Sequence, residues 1–241
     1  MSDLDRVAVL DALDAVYRSV TAVTGGLGEA DLMRPSRCAG WAVADVLYHE
    51  LLDARRALRT FASPADQPPD CDDVSYWTDY APGGDGTPGD GTSGGAAPAY
   101  AEESAAHARY VRIAAAAYPP GALAWEWSET AAAAVRAGRA CGYPAVTTQG
   151  HVLTVTDFAA TLAVEAAVHY LDLTVALPGA PAPEPASLAL VRRVLAGLLG
   201  APLPAAWDDV TAALRGTGRD PLTEADRRAL GPAAGRFPLF A

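Results

Sequence analysis

Long segments in which apolar residues recur every three or four positions are the feature that most constrains the fold of this chain. Between residues 4 and 23 this spacing continues for about five helical turns and ends at Gly25-Gly26. Similar segments cover residues 41–61, 98–118 and 157–177, and a weaker one covers residues 125–139. The 54 alanines among 241 residues also favour helix. The sequence therefore predicts an all-α protein built on a four-helix bundle.

Two segments depart from the helical pattern. Residues 146–155 (VTTQGHVLTV) place β-branched residues on both sides of Gln149-Gly150, which predicts a short β-hairpin before the last bundle helix. Thr156 is the predicted N-cap of that helix. Residues 82–97 (PGGDGTPGDGTSGGAA) predict a flexible loop, which is either a solvated connector or a lid over a site.

A proline-rich segment that starts at Pro178 divides the chain into two predicted parts. Residues 1–178 form the predicted bundle, and residues 179–241 form a small helical C-terminal extension. Within the extension, residues 187–199 and 207–215 have helical patterns. Thr223 followed by Asp226 predicts a further helix start with an acidic residue in its first turn.

The charge composition excludes several functions. The chain carries 29 acidic and 18 basic side chains, a net charge of −11, and every basic residue is arginine. A nucleic-acid partner is therefore not expected, because neutralising phosphates requires a basic face. The absence of lysine also excludes Schiff-base and P-loop chemistry.

No apolar segment is long enough to span a membrane, and residues 1–6 do not begin a secretory signal. We therefore expect a cytoplasmic protein without a membrane partner. The three cysteines are too few and too scattered for a disulfide framework or a thiolate zinc site, and they are predicted to be ordinary thiols: Cys38, Cys71 and Cys141.

Polar residues within the apolar segment 157–177 are the strongest functional signal. Glu165, His169 and Asp172 are spaced by four and three residues, so they lie near one face of a helix. Burying such groups is unfavourable unless something satisfies them, and a metal ion does so. An exposed Glu-His pair and a core histidine satisfied by other partners are the alternatives for this spacing alone. Together with His49 from the second helix, Glu165 and His169 form a two-histidine, one-carboxylate set, which leaves coordination positions open as in catalytic metal sites. Asp172 is either a partner that orients an imidazole or a polar residue near a helix end.

Three further residues have less specific patterns. Trp41 follows a glycine turn and is predicted to be a core aromatic, although it could also wall the site. His151 beside the hairpin turn is predicted to be exposed, although it could also reach the mouth of the pocket. His107 lies in an alanine-rich helix and could face either the bundle or solvent.

Two motifs resemble signatures of the DinB-like superfamily and, more narrowly, of the mycothiol-dependent maleylpyruvate isomerase family. The first is residues 35–49 (PSRCAGWAVADVLYH), in which a Gly-Trp turn precedes a helix that bears the histidine His49. The second is Glu165-x-x-x-His169-x-x-Asp172-Leu173 on the fourth bundle helix. The resemblance covers about residues 4–177.

The resemblance implies a four-helix bundle that holds a divalent metal, usually zinc, through His49, Glu165 and His169. It also implies mycothiol, the low-molecular-weight thiol of actinobacteria, as cosubstrate, and the Lys-free, Ala- and Arg-rich composition is in keeping with such a source. A metal-bound thiol is deprotonated at neutral pH, so the implied activity is isomerase or S-transferase chemistry in which the thiolate attacks a small electrophile.

Several alternatives stay open at this level. A metal-dependent hydrolase with bound water and a non-catalytic metal- or ligand-binding stress-response protein use the same residues. Iron or nickel suits the ligand set as well as zinc, and the chain could be a monomer or a homodimer. Isomerases of the family carry a substrate-binding arginine near the start of the third helix, whereas here the first arginines of that segment are Arg109 and Arg112. This difference argues against maleylpyruvate itself as the substrate.

Overall fold

A computed structural model describes residues 3–80, 96–119 and 121–240, with side chains between positions 96 and 119 described from residue 105 onward. In chain order the helices and strands are α1 (Arg6–Thr24), α2 (Glu29–Leu32), α3 (Val43–Phe61), a 3-10 helix (Ser75–Tyr80), α4 (Ala96–Ala116), α5 (Ala122–Ala140), β1 (Ala145–Thr148), β2 (His151–Thr154), α6 (Val155–Thr174), α7 (Pro185–Leu199), α8 (Asp209–Gly216), α9 (Glu224–Leu230) and a second 3-10 helix (Gly231–Arg236).

The predicted all-α bundle is confirmed, and its four helices are α1, α3, α5 and α6. Helix α1 packs against α5 and α6, and α3 packs against the same two helices. Helix α6 is the most buried of them, because its apolar residues face neighbours on every side.

The third bundle helix is α5, which covers the weaker predicted segment 125–139, and not α4, which covers the predicted segment 98–118. Helix α5 presents a stripe that includes Leu123, Trp127 and Ala131 to the core. At Gly138 on the same stripe an added Cβ would lie 2.9 Å from Leu10 Cδ2, so the glycine permits close contact with α1. Helix α4 packs against α3, and its described part leaves Tyr110 and other large side chains exposed.

The predicted hairpin is also confirmed. Strands β1 and β2 pair antiparallel from Ala145↔Thr154 to Thr148↔His151. Gln149 (φ 46°) and Gly150 (φ 83°) both adopt the left-handed conformation that a two-residue turn of this type requires.

The predicted start of the last bundle helix is wrong by two residues. Thr154, not Thr156, is the N-cap of α6, because the Thr154 hydroxyl accepts a hydrogen bond from Asp157 N at 3.0 Å. Helix α6 therefore begins directly after β2, which fixes its orientation relative to the hairpin.

Residues after 179 add α7, α8, α9 and the second 3-10 helix, and α7 packs against the bundle. Helix α7 packs against α6, α1 and α8. Thr223 caps α9 as predicted, and Asp226, three residues later, bonds back to the Thr223 backbone nitrogen at 2.8 Å. The division of the chain at residues 178 and 179 stays a prediction.

The predicted flexible loop at 82–97 lies outside the described residues, except for Ala96 and Ala97, which begin α4. Among the described helices, none has the length and apolar character needed to cross a membrane.

Candidate metal centre

The three predicted ligands converge between α3 and α6. Glu165 Oε1 lies 3.2 Å from His49 Nε2 and 3.9 Å from His169 Nε2. The two imidazole ring centroids are 4.9 Å apart. Ligand atoms about 2.0–2.2 Å from a tetrahedral zinc are about 3.3 Å from each other, so the dimensions of this cluster fit one divalent ion.

Charge in the cluster is strongly coupled. Burial opposes a charged imidazole at His49, but the hydrogen bond that His49 donates to Glu165 and the charges of nearby carboxylates outweigh it and raise the His49 pKa. Burial likewise opposes the charged carboxylate, yet the hydrogen bond with His49 and its positive charge lower the pKa of Glu165 to about 2. Glu165 is therefore ionised at neutral pH and attracts a cation.

The buried carboxyl group of Glu50 also makes a positive charge in this region favourable. Glu50, beside His49 on α3, is 1% exposed, and its Oε1 has no hydrogen-bond partner among the described residues. Burial and the negative charges of Asp53 and Glu165 raise its pKa well above the usual value. A divalent ion held by Glu165 would offset this repulsion, so the residues present fit a metal.

Asp172 orients one of the imidazoles. Its Oδ2 lies 3.0 Å from His169 Nδ1, and its side chain is fully buried. Because a carboxylate only accepts, the Nδ1 of His169 carries the hydrogen and its Nε2 is left free to face Glu165. Burial favours the neutral acid, but the contacts with His169 and Arg219 outweigh it and lower the Asp172 pKa to about 2.

Two residues beside Asp172 were not predicted as site residues. The Cys38 thiol lies 3.3 Å from Asp172 Oδ2, and burial together with the Asp172 charge raises its pKa to about 12. Arg219 Nη2 lies 3.1 Å from the same oxygen. Cys38 belongs to the Gly-Trp motif and could have been noticed there, whereas no local pattern marks Arg219, which lies 47 positions after Asp172.

The other residues considered from the sequence are also placed. His107 is exposed, but its Nε2 lies 3.4 Å from His49 Nδ1 at the edge of the cluster, and partial burial together with the nearby His49 lowers its pKa. The Trp41 ring centroid is 5.5 Å from that of His49, so Trp41 lines the site. His151 is half-buried, which makes the prediction of an exposed hairpin histidine wrong: its Nε2 bonds Asp79 at 3.0 Å.

A helical bundle with a partly buried His-Glu-His cluster, in which an aspartate accepts a hydrogen bond from one histidine, defines a DinB-like protein with a candidate metal centre. The sequence model described as mycothiol maleylpyruvate isomerase N-terminal domain matches residues 13–174. This match covers more than half of the chain, and the protein belongs to that family. No curated protein and no solved structure shows significant similarity to the chain.

Proposed function

We propose that this protein is a divalent-metal-dependent enzyme of the mycothiol-dependent isomerase or S-transferase type. The observation that carries the proposal is the convergence of His49 Nε2, Glu165 Oε1 and His169 Nε2 on one point in a member of this family. Zinc is the metal we favour, and iron or nickel suits the same donors.

His49, Glu165 and His169 would hold the metal. When bound, the metal would lower the pKa of a coordinated thiol, so that mycothiol is present as a nucleophilic thiolate at neutral pH. The remaining residues orient these ligands. Asp172 accepts the Nδ1 hydrogen of His169, and a neutral His107 can accept that of His49, so that in the metal-bound state the Nε2 atoms of His49 and His169 would both be available as ligands.

We propose that the electrophile occupies a cavity beside α3, the helix that carries His49. It has a volume of about 330 Å³, at the low end for small-molecule sites, and lies between α2, the start of α3 and the end of α4. Asp45, in its wall, precedes His49 by one helical turn of about 5 Å. Arg112 also lines it and supplies a cation in the helix that lacks an arginine near its start. We therefore propose a small substrate with an anionic group.

Calorimetry with mycothiol and zinc-loaded protein tests the function. We expect binding that disappears in Glu165→Gln, together with the loss of one metal equivalent per chain. Glu129→Gln, which makes the same change at an exposed position of α5, should behave as wild type. Unchanged metal content in Glu165→Gln and in His49→Ala would overturn the metal-based function, and metal binding without thiol binding would favour the hydrolase or the binding protein.

A further inference from the structure

A second cluster of metal-binding side chains lies on the hairpin and shares no residue with the proposed centre. His151 begins β2, and Asp70, Cys71 and Asp79 come from the segment between α3 and α4. One donor atom each from Asp70, Cys71 and His151 lie within 4.8 Å of one another. Cys71 and His151 are half-buried.

One ring nitrogen of His151 donates a hydrogen bond to a carboxylate, whereas the other lies close to a second carboxylate without a hydrogen bond to it. Nε2 lies 3.0 Å from Asp79 Oδ2, and because a carboxylate only accepts, this nitrogen carries the hydrogen. Nδ1 lies 3.5 Å from Asp70 Oδ1, beyond the range of an ordinary hydrogen bond. A metal ion bound by both atoms would take the place of a proton between them.

The backbone of β2 fixes the position of the Asp70 carboxylate. Val152 N lies 3.2 Å from each Asp70 carboxylate oxygen, and Asp70 N donates to Val152 O at 3.0 Å. Asp79 accepts a hydrogen bond from His151, just as Asp172 accepts one from His169. An imidazole that donates its second N–H to a carboxylate is the usual arrangement of a metal-binding histidine.

The electrostatics of the cluster also favour a cation. Burial and then Asp70 raise the pKa of the Cys71 thiol to about 12, with the charges of Asp72 and Asp79 acting in the same direction. Among the described residues, no arginine forms an ion pair with Asp70 or Asp79. A bound metal reverses this field and deprotonates a coordinating thiol. A donor set of sulfur, nitrogen and oxygen selects ions of the zinc type over calcium or magnesium.

We propose that Asp70, Cys71 and His151 bind a second divalent ion of the zinc type, with Asp79 orienting His151. The ion fastens the segment around residues 70–80 to the hairpin, where Tyr76 already donates a hydrogen bond to Gln149 at 2.7 Å. This site is independent of the proposed function, because none of its ligands belongs to the first centre.

Cobalt titration of the metal-free full-length chain tests the proposal. A thiolate bound to Co²⁺ gives a sulfur-to-metal charge-transfer band in the near ultraviolet, and the Cys38→Ser background removes the cysteine beside the first centre. We expect the band in Cys38→Ser and in Cys38→Ser/His49→Ala. It should disappear in Cys38→Ser/Cys71→Ser with the loss of one cobalt equivalent. A Cys38→Ser protein without the band, or a band that survives Cys71→Ser, overturns the site.

Two further controls distinguish the effect of the Asp70 charge from a loss of folding. Asp70→Asn should weaken cobalt binding at this site by at least about tenfold, while Asp66→Asn, the same change at an exposed neighbour on the same segment, should not. Circular dichroism checks the fold of each variant. Should Cys71→Ser not fold, alkylation of Cys71 in the Cys38→Ser protein, read by mass spectrometry, replaces it: Zn²⁺ should slow the reaction at least tenfold, and an unchanged rate overturns the proposal.

Discussion

The ion pair between Asp172 and Arg219 should contribute measurably to the free energy of unfolding of the metal-free protein. The Asp172 side chain is 0% exposed, and that of Arg219 is 15% exposed. The surroundings lower the Asp172 pKa from 3.8 to about 2, which at about 1.4 kcal/mol per pH unit corresponds to roughly 2 kcal/mol at neutral pH. His169 and Arg219 share this stabilisation, so we assign roughly 1 kcal/mol to the arginine.

A double-mutant cycle of Asp172→Asn, Arg219→Gln and the double variant measures this coupling. Urea unfolding at pH 7 with a chelator should give a destabilisation of roughly 2 kcal/mol for Asp172→Asn, or about 4–8 °C in Tm. The coupling energy should be roughly 1 kcal/mol. Because the folded-state pKa is depressed, this stability is complete above the unfolded pKa and disappears as the pH decreases towards 2. The effect of Asp172→Asn should therefore be smaller at pH 3 than at pH 7.

A surface ion pair provides the control. Arg139 Nη2 and Asp11 Oδ1 are 2.8 Å apart, but the side chains are 43% and 57% exposed, so their coupling should stay below about 0.5 kcal/mol. A coupling between Asp172 and Arg219 no larger than that of the surface pair would refute the reasoning, because it would mean that solvent screens the buried carboxylate as effectively as an exposed one.

Three further predictions concern the bundle and are measured by urea unfolding. Gly138→Ala should destabilise the protein by about 1–3 kcal/mol, since its methyl group would lie 2.9 Å from Leu10 Cδ2, whereas Gly26→Ala, with nothing within 4 Å, should have little effect. Thr154→Ala should cost about 1 kcal/mol and Thr156→Ala much less, because Thr154 is the N-cap of α6; equal effects would contradict the observed helix start. Glu50→Gln should stabilise the metal-free protein at pH 7, because the raised pKa makes the ionised carboxyl unfavourable when buried, and this gain should vanish below the usual glutamate pKa of 4.5.

The sequence predicts the bundle helices well where one face alone is apolar, as in α1 and α3. It is less informative for α4 and α5. Helix α4 is so rich in alanine that its pattern does not distinguish a core-facing side from an exposed one, while the stripe around Trp127 on α5 becomes evident only through its packing on α1. The sequence alone misplaces the start of α6, because Thr154 and Thr156 are equally suitable N-cap residues. The position at which β2 ends determines which of the two caps the helix.

Glu165 and His169 could be predicted as candidate ligands because they are one helical turn apart in the sequence, whereas His49, 116 positions before Glu165, could be added only through the short family motifs. The residues that form hydrogen bonds and ion pairs around these ligands could not be predicted in the same way. Asp172 was identifiable by its position after His169, but the identity of its second partner depends on how a distant loop folds back. The second cluster has the same limitation, since Cys71 and His151 are 80 positions apart in the sequence and meet only because β2 runs beside residue 70.

The position of Arg219 connects the candidate centre to a part of the chain outside residues 13–174, which the family model covers. Arg37 strengthens this connection, because its backbone nitrogen donates to Asp172 O at 3.2 Å and its guanidinium pairs with Asp220 at 3.0 Å. Gly218 (φ 73°) permits the turn that brings this loop back, and an added Cβ there would lie 3.1 Å from Pro238. Asp172 therefore lies between a candidate metal ligand and a loop from the C-terminal region. A metal bound at His169 would act on the same carboxylate that holds Arg219, so we expect the stability of this loop to depend on whether the candidate centre is loaded with metal.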